Sequence, residues 1–167
     1  MKTTLKLLTL SVALFAFANI SFGQNVTADA AARIITPIKI QQDQALEFGD
    51  IISGTNVVTI APDGSRTATD PTLLLTLAAG GRTPQAAGFS VKGEKNLSYT
   101  VNIDASATLT RAGGGGTMTI NNFQHNSTGT LDASGEDTFN VGADLTVGAN
   151  QASGVYEGTY TVTVAYE

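Results

Sequence analysis

One histidine, one run of four glycines, one acidic loop and one stripe of tyrosines are the features of this 167-residue chain that could do chemistry. His125 lies among Asn122, Gln124 and Asn126. Nucleophilic catalysis needs a base beside a positioned nucleophile, and no elbow motif accompanies this histidine. A zinc site needs several His or Cys ligands, and the chain has one His and no Cys. Gly113–Gly116 could cradle a phosphate only ahead of a helix N-terminus, often with a lysine. Thr117-Met118-Thr119-Ile120 follows, which is strand-like, so a hairpin link is expected. Asp132, Ser134, Glu136 and Asp137 offer oxygens to a hard cation. For a calcium loop Gly135 comes too early and the closing bidentate Glu is missing, so a solvated acidic loop is expected. No catalytic residue, no metal site and no cofactor follows from these patterns, and an enzyme is not expected.

The tyrosines belong to the stretch that organises the chain. From Gly154 to Glu167, Tyr156, Tyr160, Val162, Val164 and Tyr166 share one face, and Thr159, Thr161, Thr163 and Ala165 the other. A period of two in β-branched and aromatic residues predicts a strand. A helix would scatter Val162 and Tyr166 around its axis. The chain stops at Glu167, so the free side of this strand is expected to await another segment. Core packing accounts for the apolar stripe more simply than a sugar-binding surface does.

Composition bounds the rest. Lys2, Lys6, the apolar run Leu7–Ala18 and the small residues Ser21 and Gly23 have the layout of a signal peptide, with cleavage expected before Gln24. The run is too short to span a membrane comfortably, and no cysteine follows to carry a lipid. Export to the periplasm, the cell surface or the medium is expected, with no stable membrane insertion after cleavage. Nine basic residues less Lys2 and Lys6 leaves seven against 14 acids. That balance repels phosphate backbones and argues against nucleic acid as a partner. Without disulfides the exported chain must rely on its core or on partners.

Residues 24–33 form an expected N-terminal arm and 34–167 the domain. Alternation over Ala30–Ile40, interrupted by Pro37, predicts an edge strand, with a polar turn at Gln41–Gln44. Further strands are expected over Ala45–Ile52, Asn56–Ile60, Ser65–Asp70 and Thr72–Ala78. Lys92–Lys95 predicts a hairpin joining a strand at Ala87–Val91 to one at Leu97–Ile103. Ala107–Thr110, Thr117–Phe123 and Thr138–Val147 follow, the last kinked or divided at Gly142. About nine strands, turn signals at sandwich spacing and no sustained helical period predict an all-β, antiparallel sandwich.

Three pieces carry a resemblance: Leu46-Glu47-Phe48-Gly49-Asp50-Ile51, Val141-Gly142-Ala143-Asp144-Leu145 and Gly154-Val155-Tyr156-Glu157-Gly158-Thr159-Tyr160. Gly154 stands fourteenth from the end and Tyr166 is penultimate, with alternating apolar residues between. The chain thus resembles chaperone–usher pilus subunits, the spore-coat-protein-U type, and a related bacterial secreted domain family of unknown function. The resemblance implies an Ig-like sandwich that lacks a final strand. A periplasmic chaperone and then the arm of a neighbouring identical subunit would supply it. Tyr156, Tyr160, Val162, Val164 and Tyr166 would line the strand-addition groove, and the donor would lie within Asn25–Ile40. The alternative is a self-contained secreted Ig-like module that binds a glycan or matrix.

Overall fold

A computed structural model describes residues 23–76 and 81–167. The expected signal peptide lies almost wholly outside the described residues. The chain divides into two units, Met1–Ile34 and Ile35–Glu167. In the first, residues 23–34 have no regular secondary structure and all are exposed.

The second unit is an all-β sandwich, with ten strands among the described residues: β1 Lys39–Gln44, β2 Asn56–Ile60, β3 Arg66–Ala68, β4 Ala87–Lys92, β5 Tyr99–Ile103, β6 Ser106–Arg111, β7 Thr117–His125, β8 Glu136–Val147, β9 Tyr156–Glu157 and β10 Val162–Tyr166. Among the described residues there is no α-helix, and no helix is long and apolar enough to cross a membrane. The main sheet runs β1-β4-β8-β7-β6-β9, with β2 on β8 and β3 on β2. β10 and β5 form a second, two-stranded sheet. Among the described residues every ladder is antiparallel.

β8 is the spine. Its first half pairs with β4, from Lys92↔Glu136 to Ala87↔Val141, and its second half with β2, from Ile60↔Ala143 to Asn56↔Val147. Its opposite edge carries β7. It is one strand, passing through Gly142 without a break. Two cores flank it. Phe48, Val58, Ile60, Ile120, Leu145 and Val147 centre the first. Phe89, Val91, Tyr99, Leu131, Phe139 and Val141 centre the second, against which Val162, Val164 and Tyr166 pack.

Several sequence expectations give way. Of the edge strand expected over Ala30–Ile40 only Lys39 and Ile40 are strand, and the single strand expected over Gly154–Glu167 is two, β9 and β10. Gln41–Gln44 is strand, not turn: at an open edge both faces meet water, so a polar run can still hold a ladder with β4. Residues 45–52 make only the isolated bridges Glu47↔Gln85 and Ile51↔Leu74. Gly49 at φ 76° turns the backbone out of any strand there. The predicted strand from Thr72 is a 3₁₀ turn, Pro71–Leu73, capped by the Asp70 side chain on the Thr72 amide; its residues 77–78 lie outside the described residues. Finally, Lys92–Lys95 joins no hairpin, because β4 pairs with β1 and β8 while β5 pairs with β10.

Candidate functional site

Residues 156–166 run antiparallel along 99–111, first on β6 and then on β5. Arg111↔Tyr156 and Thr110↔Glu157 begin the pairing, and Val162↔Ile103 to Tyr166↔Tyr99 complete it. Between the two ladders Asp104 takes over: its carboxylate accepts the Thr161 amide at 2.7 Å, and its own amide donates to Thr161 O at 3.1 Å. Gly158 allows the close approach to β6, since a Cβ there would stand 2.3 Å from Thr108 O. All these bonds lie on one side of the ribbon. Among the described residues no ladder forms on its other side.

That other side faces a groove of about 980 Å³. One wall is the ribbon, residues 151–162; the other is Ile40 and Gln42 of β1 with the bridged segment Ala45–Ile51. Leu109, Met118, Ile120, Leu145 and Val147 contribute apolar lining from the main sheet. Among the described residues β1 is itself an edge strand, paired only with β4. The groove therefore has an unladdered strand edge on both walls and an apolar lining between, the features that an added strand satisfies.

The five residues expected to face the groove divide. Tyr156, Tyr160 and Val162 line it; Val164 and Tyr166 do not, and pack instead on the second core. Tyr156 is held by its hydroxyl, which donates to Ala152 O at 2.7 Å and accepts from Gln151 Nε2 at 2.8 Å. Tyr160 stacks on Phe123 with ring centroids 4.7 Å apart. Among the described residues its buried hydroxyl has no hydrogen-bond partner, and burial pushes the phenol up to about 12. Tyr166 lies outside the groove lining. Its hydroxyl accepts from the Glu94 amide at 2.5 Å and donates to Thr36 O at 2.8 Å, joining the last strand to the segment that precedes β1.

Sequence reasoning missed the opposite wall. Leu46 and Phe48 alternate visibly, but nothing in their spacing says that they look across at Tyr160 rather than at a paired strand. It also missed Arg82, whose guanidinium joins Glu47 to Glu157.

The other features have structural roles. The Asp132 carboxylate caps its turn by accepting the Ser134 and Glu136 amides at 2.8 and 2.9 Å. Asp137 accepts from the Tyr99 hydroxyl at 2.7 Å, and Glu136 pairs with Lys92 at 2.6 Å. Gly113–Gly116 links β6 to β7, as its composition predicts. His125 Nδ1 accepts the Ser127 amide at 3.3 Å, and the ring meets Phe139 edge-on. Among the described residues no group of three His, Asp or Glu is placed to hold a metal ion.

The family described as a domain of unknown function (DUF4402) matches residues 38–166, from the segment entering β1 to the end of β10. No curated protein and no solved structure matches the chain.

Proposed function

Because the chain belongs to the DUF4402 family, whose description carries no activity, we propose a function from its geometry: it is a structural subunit of the cell surface that assembles by strand addition. The observation that carries this reading is the groove between the open edges of β1 and the C-terminal ribbon. An extended segment laid there gains main-chain hydrogen bonds from an edge and covers apolar surface at about 25 cal/mol per Å².

The occupant we infer is the N-terminal segment of a second copy. Val26, Ala28, Ala30, Ala32 and Ile34 recur at a period of two, with Thr27, Asp29 and Arg33 on the other face. Val26 and Ile34 are 91% and 96% exposed, a poor place for two β-branched apolar residues unless something covers them. A signal peptide over residues 1–23 would deliver such a subunit across the inner membrane, and a periplasmic chaperone would hold the groove until a neighbour arrives.

The experiment is to mix the full chain with a synthetic peptide of residues 24–36. Binding should be slow and tight, raising the unfolding free energy by about 2.7 kcal/mol at a hundredfold excess over Kd. The chain lacking residues 24–36 should bind the peptide and fail to multimerise in size-exclusion chromatography. A full chain that stays monomeric at high concentration and ignores the peptide would sink this reading. A self-contained binding module for glycan or matrix would then take its place.

A further inference from the structure

A single guanidinium joins the two walls of the groove. Arg82 Nη1 lies 2.6 Å from Glu47 Oε1 and Nη2 lies 3.0 Å from Glu157 Oε1. Glu47 belongs to the β1-side wall, where its amide and carbonyl bond the Gln85 backbone at 2.9 and 2.8 Å. Glu157 belongs to the ribbon, in β9. The Arg82 amide is also anchored, at 3.4 Å from Asp50 Oδ1. Only one other side-chain bond ties the walls among the described residues near this end, from Ser53 Oγ to Gln151 O at 2.9 Å. An arginine can do this because its planar fork presents separate N–H pairs to two carboxylates at once.

We propose that Arg82 is an ionic latch that holds the groove walls together through Glu47 and Glu157 and sets how fast a segment can insert between them. Its purpose rests on the strand-addition reading; the coupling of the walls does not. Arg82 and Glu157 are 44% and 68% exposed, so their pair is weak in water and opens readily, while Glu47, at 26%, holds the guanidinium to its own wall. Such a latch controls rate without sealing the site. It is also sensitive to ionic strength, because 1 M salt shortens the screening length to about 3 Å.

The test uses the full chain and two readouts. Amide hydrogen exchange across residues 156–161 should run roughly fivefold faster in Arg82→Gln than in the parent. Glu157→Gln should reproduce most of that change, and Arg82→Lys should fall between. Adding 1 M NaCl should speed exchange in the parent and leave Arg82→Gln unchanged. Insertion of a fluorescent peptide of residues 24–36 should accelerate in the same order. Equal exchange in parent and Arg82→Gln, with equal response to salt, overturns the latch whatever the peptide does. Faster exchange in Arg82→Gln with no peptide binding to either protein keeps the latch and removes strand addition as its purpose.

Discussion

β8 and β10 are both runs of alternating apolar residues, yet Phe139, Val141, Leu145 and Val147 are at most 4% exposed while Val162, Val164 and Tyr166 stay half-buried. The difference is in their neighbours. β8 has β4 and β2 along one edge and β7 along the other. β10 has β5 along one edge and the end of an open groove beyond it. Alternation specifies which face turns inward. How far that face is buried depends on the flanking strands, and the C-terminal ribbon is a β8 that lacks one flank.

Truncation would test that contrast most strongly at β8. Val141→Ala should cost about 2–3 kcal/mol, because that side chain is fully buried in the second core, away from the groove. Urea unfolding should register this as a lowered midpoint with an unchanged m-value. At β10 the effect should be smaller. Val162→Ala should cost about 1 kcal/mol in the free chain, since that side chain is only half-buried and lines the groove. Saturation with the 24–36 peptide should enlarge the β10 cost and leave the β8 cost alone. Equal costs in the free chain would mean that the ribbon is already flanked on both sides.

The smallest expected effect lies in the turn leading into β8. Backbone donation, first from the Glu136 amide and then from the Ser134 amide, holds the Asp132 carboxyl below the ordinary carboxylate range. Its pKa is lower folded than unfolded, so its contribution is present above the unfolded value and is lost as pH falls from there through the lower folded one. The amide resonances of Ser134 and Glu136 should shift together on acidification. Asp132→Asn should abolish the coupled shift and leave the β10 ladder untouched.

The residues explain why much of the fold could be read directly and the groove could not. Asn56–Ile60 is found at the predicted boundaries, and β4, β6 and β7 within two residues of theirs, because each alternates between a more buried and a more exposed face. β1 was expected too early, over Ala30–Ile40 with a turn after it, because Gln41, Gln42, Asp43 and Gln44 carry no apolar face to display. The turn at Gly93 was legible as a turn, but turn residues do not reveal which sheet the next strand will join. Tyr160 and Val162 were legible as inward-facing. Their counterparts Ile40, Leu46 and Phe48 lie more than 100 residues earlier, and no local pattern links two walls separated by unfilled space.

The pairing of β10 with β5 also has a consequence for the order of events as the chain is made. Tyr99 finds its partner only at Tyr166 and Ile103 only at Val162, so residues 104–161 must all be synthesised before the small sheet can close. Contacts so distant along the polypeptide carry a large loop-closure cost and slow the final step of folding. Until then β5 presents a bare backbone rim to its surroundings, and this is the interval in which an unfinished molecule is most exposed to aggregation.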